Sequence, residues 1–131
     1  MQDLPINRKT STGHLVWDGK IVEVFLDGPV VVELEDMKEI MSIRAEMVGD
    51  SDFTILVNAK EGASVTKTAR KYLADDINPK KIASAFVANS ALMVGLVNFY
   101  ITFNQPARPA KLFSSKDEAS NWLLKQLDSQ D

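Results

Sequence analysis

Residues 82–107 read IASAFVANSALMVGLVNFYITFNQPA and carry no charge, in a chain that is one quarter charged overall. A run of this kind is either a membrane span or the buried centre of a globular fold. A spanning helix needs about 20 continuous apolar residues, and the run is long enough. It is interrupted, however, by Asn89, Ser90, Asn98 and Asn104. No aromatic belt or Lys/Arg asymmetry frames it. Asn89-Ser90 is a natural break and helix start, so the run divides into a buried strand over 82–87 and a buried helix over 90–103.

The same periodicity argument extends outward in both directions. Toward the N-terminus, His14 to Leu26 reads as a β-hairpin turning at Asp18-Gly19, because a two-residue Asp-Gly turn tolerates positive φ at both positions. Residues 32–48 have helical spacing in Leu34, Met37, Met41 and Val48, with Ile40 and Met47 alongside and Glu33, Glu35 and Asp36 in the first turn. Phe53 to Val57 is a short strand, and Lys60-Glu61-Gly62 a loop. Ser64 to Ala74 is a second helix, with Ser64 as its N-cap and Val65, Ala69, Tyr72 and Leu73 facing inward. Toward the C-terminus, 111–113 is a short strand. Ser115 to Leu127 is the last helix, with capping-box spacing at Ser115 and Glu118 and an inner stripe of Ala119, Trp122, Leu123 and Leu127. Truncating Trp122 in a core would cost roughly 3–5 kcal/mol.

The order is strand, strand, helix, strand, helix, strand, helix, strand, helix. It predicts an α/β fold: a mixed, mostly parallel sheet of about five strands with an N-terminal hairpin and four helices. Its 131 residues suit one domain with a respectable core. Residues 1–12 are expected to form a flexible lead-in and 13–131 the domain. The opening MQDLPINRKTSTG lacks an apolar stretch and is not expected to be a secretory signal.

Composition narrows the chemistry. The formal charge of −3, with Lys and Arg scattered, gives no reason to bind nucleic acid or anionic lipid. There is no cysteine, which excludes disulfides, thiol catalysis and thiolate metal sites and fits a cytoplasmic location. His14 stands alone, without the further ligands a metal needs or the carboxylate a general base needs, and reads as a strand-edge residue. Glu33, Glu35, Asp36 and Glu39 read as the solvated face of a helix, not as catalytic carboxylates. Lys67-Thr68 lacks the glycines of a phosphate loop. Ser64 to Lys67 has Ser-x-x-Lys spacing with nothing else to support acyl transfer. No catalytic residue, cofactor or metal is therefore expected.

Segments of this chain resemble the STAS-like family, which includes sulfate-transporter and anti-sigma-factor-antagonist domains. The carrying residues are Ser64 to Leu73, Val97-Asn98-Phe99-Tyr100, and Arg108 to Phe113 with Glu118-Ala119 and Trp122-Leu123. The closer match is to small bacterial members of the kind found in Bacteroidetes, and it covers nearly everything after His14. The resemblance implies a non-enzymatic regulatory or protein-interaction module; some relatives bind small ligands or lipids. Anti-sigma-factor antagonists carry a phosphorylatable serine in an Asp-Ser-Ser-Gly-type turn. The matching turn here, Asn58 to Ser64, lacks the acidic residue and the paired serines. Ser64 is the positional candidate for a phosphosite, with Thr66 behind it; an N-cap role competes for Ser64.

The helix over 90–103 is the most suggestive element. Leu92, Met93, Val94, Leu96, Val97, Phe99, Tyr100, Ile101 and Phe103 leave it almost no polar side. A helix apolar all round must be covered all round, by the sheet and another helix, by a second subunit, or by an apolar ligand. Candidate partner or ligand contacts are Arg70, Asn98, Phe99, Tyr100, Phe103 and Asn104. Arg70 could instead lie on a solvated face, paired to Asp75 or Glu61. The expected function is an interaction module that forms a homodimer through this helix or docks a protein partner. The alternative is a small lipid- or metabolite-binding protein with a cavity beneath it.

Overall fold

The computed structural model describes residues 3–59 and 62–130. Its organising element is a strand, Lys81–Val87, in which all seven residues are buried. A strand buried on both faces lacks apolar–polar alternation, and from Ile82 onward this one is the first part of the uncharged run.

In chain order the elements are β1 (Ile6–Thr10), β2 (Gly13–Trp17), β3 (Ile21–Leu26), β4 (Val30–Val32), α1 (Leu34–Val48), β5 (Phe53–Ala59), β6 (Ala63–Val65), α2 (Lys67–Ala74), β7 (Lys81–Val87), α3 (Ala91–Phe99), a π-helical turn (Tyr100–Asn104), β8 (Ala110–Phe113) and α4 (Lys116–Asp128). The main sheet has six strands in the order β1-β2-β3-β5-β7-β8. Its first two pairings are antiparallel and the other three parallel. β4 and β6 form a separate two-stranded parallel ribbon. The mixed, mostly parallel sheet with its hairpin and four helices is the expected architecture.

The helices are divided unequally between the two faces. α4 lies on one face, where Ala119 and Leu123 meet Ile21, Leu56, Ala83, Ala85 and Val87. The alanines of β7 leave room for the helix to sit close. The opposite face carries the larger core: Leu15, Trp17, Val22, Val24, Leu26, Phe53 and Ile55 from the sheet, with Met37, Ile40, Met47 and Val48 of α1, Ala69 of α2 and Met93 of α3. Phe86 packs there with Val97 and Tyr100, its ring edge-on to Tyr100 at 5.7 Å.

Several local expectations change. Residues 6–10, expected in a mobile lead-in, form β1 at the edge of the sheet. The hairpin turn centres on Gly19-Lys20, because Trp17 pairs with Val22. Only Gly19 has positive φ, at 95°, and Asp18 Oδ1 accepts from the Lys20 and Ile21 N–H groups at 2.9 and 2.8 Å. Asp18 thus shapes the turn through its side chain. Residues 30–32 form β4, so α1 begins at Leu34. The N–H of Glu33 donates to Asp36 Oδ2 at 2.9 Å, which caps that helix start. Ser64 lies in β6, and the N-cap of α2 is Thr66, whose Oγ1 accepts from the Ala69 N–H at 3.3 Å. The loop residues Lys60 and Glu61 lie outside the described residues. On α4, Ser115 Oγ accepts from the Glu118 N–H at 3.4 Å, the Ser115 half of the expected box.

Trp122 is half-buried against Phe113, at 5.7 Å between ring centres. Leu123 is fully enclosed. Leu123→Ala is therefore expected to cost about 3–4 kcal/mol and Trp122→Ala about 2. Chemical denaturation of both variants checks the order; a reversed order would displace α4 from its assigned face.

Candidate functional site

α3 presents two unlike sides. Its inner side presents Met93, Val97 and Tyr100, which are buried. Its outer side does not find cover: Leu92 is 58% exposed, Phe99 45% and Phe103 69%. These three residues stand at helical spacing on one stripe. Phe99 and Phe103 pack on each other at 4.6 Å. Coverage by the last helix, one way of burying α3, is ruled out by topology, since α4 packs on the other face of the sheet. Asn98 and Gly95 share the exposed side, so the stripe has no charged member.

Beneath the inner side lies a cavity of about 80 Å³. Its walls come from the sheet (Val24, Leu26, Ile55, Val57, Phe86), from α1 (Met37, Ile40, Met41, Arg44), from α2 and its lead-in (Val65, Arg70, Leu73), and from α3 with its π-helical end (Met93, Leu96, Val97, Tyr100), with Val32 of β4. Arg44, Arg70 and Tyr100 line it with their carbon atoms, so the surface facing the cavity is wholly apolar. A π-helical turn widens the helix at Tyr100–Asn104, a feature often found beside functional sites. Gln105 then ends it in the left-handed region, at φ 49°.

Arg44 is the residue that sequence reading missed. It stands seven residues after Met37 and four after Ile40, on the buried stripe of α1. It is 5% exposed, and its guanidinium lies 5.0 Å from the Phe53 ring centre. Its Nη1 donates to Asp76 Oδ2 at 2.9 Å. Lys81 Nζ, 3% exposed, reaches the same oxygen at 3.4 Å. Asp76, 7% exposed, also accepts from the Asn78 N–H at 3.2 Å. Burial alone would raise the Asp76 pKa; Arg44, Lys81 and the Asn78 N–H outweigh it and hold the carboxyl below its ordinary value. Burial pushes the Lys81 pKa down, assisted by Arg44 and Arg108 and opposed by Asp76. Burial raises the Tyr100 pKa, with a further contribution from Asp76. Two buried cations thus share one carboxylate.

The remaining candidates sort as follows. Arg70 is half-buried and does not lie on a solvated face: its Nη1 donates to Val65 O and its guanidinium sits 5.5 Å from the Phe99 ring centre. Asp75 pairs with Lys71 instead, at 3.1 Å, and Glu61 lies outside the described residues. Arg70, Tyr100 and Phe99 are therefore brought together around α3. Asn104, at the end of the π-helical turn, has a buried Oδ1 with no partner among the described residues. Of the two hydroxyls considered for phosphorylation, Thr66 is at a helix start and Ser64 is half-buried in β6, opposite Val31. His14 is not at an edge: β2 lies between β1 and β3, and the imidazole stacks on Phe25 at 4.4 Å. The acidic group of α1 is not merely solvated. Asp36 and Glu39 hold the β1–β2 turn through the Ser11 hydroxyl at 2.9 and 2.8 Å, and Glu39 accepts the Ser11 N–H at 2.8 Å. No group of three His, Cys, Asp or Glu among the described residues could hold a metal, and no helix among them is long and apolar enough to cross a membrane.

The sheet order, the single helix on one face and the three on the other define a STAS-like fold. A solved structure of an uncharacterized protein from the DUF3478 family, with a SpoIIAA-like fold, from Shewanella loihica PV-4, shares it: TM-score 0.52, covering 94% of this chain and 98% of that one at 11% identity. At that identity the likeness concerns the fold. The chain itself belongs to the family DUF7793, a domain of unknown function, which it matches over residues 15–127. No curated protein matches the chain.

The ion cluster gives a signed prediction. Because the native pKa of Asp76 is depressed, its stabilising contribution is complete above the unfolded value near 3.8 and is lost as pH falls through the native value. Asp76→Asn leaves Arg44 and Lys81 uncompensated and should cost about 3–5 kcal/mol at neutral pH. Urea denaturation over a pH series is expected to show the gap between the two proteins closing as the pH falls below that of carboxylate titration. A gap independent of pH would mean that Asp76 is not ionised in the native state.

Proposed function

We propose that this chain is a non-enzymatic STAS-like regulatory module of the cytoplasm that pairs with a second copy of itself through the outer side of α3. The observation that carries the reading is the uncovered apolar stripe Leu92, Phe99 and Phe103. Exposed side chains of this size cost solvation free energy, at roughly 25 cal/mol per Å² of apolar surface left in water. The centre of a stable interface is depleted of charge and enriched in aromatic residues, and residues 91–104 contain no charged residue. Two copies can therefore meet here without burying an unpaired charge. Gly95 on the same side meets nothing within 4 Å of where a Cβ would stand, so backbone approach is unobstructed. Nearer kinship with small bacterial members of the Bacteroidetes type rests on the sequence blocks around Ser64, Val97 and Arg108.

The second reading is a small apolar ligand beneath the same helix, and the cavity favours it. The volume is modest: a dry cavity of about 150 Å³ is known to accept benzene. Both readings give α3 the functional role and leave the opposite, α4-covered face to stability.

Sedimentation over a concentration series tests the first reading. The wild-type chain is expected to associate reversibly, and Phe99→Asp with Phe103→Asp to shift the equilibrium toward monomer by at least about tenfold, or about 1.4 kcal/mol. Both side chains are exposed, so the variant should keep its fold. A wild-type chain that stays monomeric at every concentration overturns self-association.

A further inference from the structure

We propose that the cavity beneath α3 binds a short neutral hydrocarbon, of about three carbons and without a hydrogen-bonding group. The inference rests on the second reading above, of a ligand beneath α3, and specifies the class of ligand. Polarity, size and the make-up of the walls each bear on it.

Polarity excludes most metabolites. Arg44, Arg70 and Tyr100 turn carbon atoms toward the space, and the rest of the lining is aliphatic side chains, methionines and Phe86. A carboxylate, ammonium or hydroxyl placed there would lose its water and gain no partner. Water itself meets the same obstacle. The volume is ample for a water molecule, but a buried water needs two to four polar partners. Water is therefore a poor competitor for the space, whereas an apolar occupant adds dispersion contacts with every lining atom.

Size excludes acyl chains and sterols. A dry apolar cavity of about 150 Å³ takes the six carbons of benzene. At about 80 Å³ this one offers roughly half that space, which sets the ligand at about three carbons.

The walls suit such a molecule. Three of the chain's five methionines, Met37, Met41 and Met93, line the cavity. Their unbranched, polarisable side chains adapt to an apolar guest of no fixed shape. Met41, Leu73 and Leu96 are half-buried, so the walls from α1, α2 and α3 reach toward the surface and give a short route of entry. Tyr100 lines the cavity at the start of the π-helical turn, a distortion that recurs at functional sites.

Propane and ethanol have equal numbers of non-hydrogen atoms and differ in one polar group; benzene is the oversized control. Each would be titrated into the full chain carrying isotope-labelled methionine methyl groups and followed by NMR. Met37, Met41 and Met93 report on the cavity. Met47, buried in the same core but not part of the lining, is the internal control. Propane is expected to move the three lining signals saturably and to leave Met47 in place. Ethanol is expected to bind at least about tenfold more weakly, because its hydroxyl finds no partner, and benzene not to bind. Leu73→Phe, which fills the cavity from α2, is expected to weaken propane binding by at least about tenfold. Met41→Ala, which enlarges it from α1, is expected to admit benzene. If ethanol matches propane, or benzene binds the wild-type chain as tightly, the proposed class of ligand falls while the reading of a ligand beneath α3 stands. If no probe moves the three signals in either the wild-type chain or Met41→Ala, both fall. Shifts that never saturate and include Met47 would mean partition into the core at high concentration only, and would overturn the site.

Discussion

The structure depends on β7 being enclosed on both faces. Seven consecutive buried residues leave no solvated side, so helices must cover the strand above and below. The order β3-β5-β7-β8 runs in one direction across the sheet. Right-handed crossovers through α1, α2 and α3 then place all three helices on the same face, and the other face is left to α4. The small side chains of Ala83 and Ala85 suit the single helix; Phe86 suits the crowded side. The crowding is incomplete. Three helices and the β4–β6 ribbon converge over a sheet whose side chains do not fill the space between them, and the cavity is the remainder.

The second constraint is electrostatic and ties the same parts together. Arg44 comes from α1, Asp76 from the turn after α2, and Lys81 from the first position of β7. Their contact links the C-terminal half of α1 to the entry of the central strand. A buried pair of this kind is weak evidence for net stability, since desolvation consumes much of the attraction. Its stronger consequence is geometric: only an arrangement that brings Arg44 and Lys81 to the same oxygen avoids leaving charges buried and unpaired. The cluster therefore restricts how α1 sits against the sheet, and so fixes one wall of the cavity.

Most of this order was legible in the sequence because it rests on long periodic segments. The uncharged run, the amphipathic residues of α1 and α4, and the hairpin gave fold class and helix count directly. The failures were short or tertiary. Val30-Val31-Val32 joins three β-branched residues, which favour strands, and that signal was available; helical spacing downstream masked it. β6 has three residues and exists because β4 pairs with it, so Ser64 reads as a helix start from sequence although the cap is Thr66. The hairpin turn shifted by one residue because Asp18 acts through its carboxylate as well as its backbone. Arg44 was hidden by its charge: it occupies a position of the apolar stripe, and a stripe counted only in apolar residues passes over it. The site residues divided for the same reason. Phe99, Phe103 and Tyr100 follow from helical geometry, whereas the approach of Arg44 and Arg70 to one cavity is a product of packing between helices distant in sequence.

The two sides of α3 cannot be independent. The helix is held from within by Met93, Val97 and Tyr100 and is free without, and it is short, so a displacement on its inner side moves Leu92, Phe99 and Phe103 as well. Arg70 strengthens the connection, since the carbon stem of its side chain lines the cavity and its guanidinium lies over the Phe99 ring at 5.5 Å. A displacement of the Arg70 stem would therefore carry its guanidinium relative to the Phe99 ring. Linkage then requires reciprocity: if occupation of the cavity changes the affinity of the outer face by some factor, pairing at that face changes the affinity of the cavity by the same factor. A helix packed tightly on both sides could not transmit such a change. A helix loose on both sides would have no fixed surface to offer. α3, anchored on one side over an incompletely filled space and terminated by a widened turn, lies between those limits, and this intermediate packing is what joins the interaction reading and the ligand reading in one element.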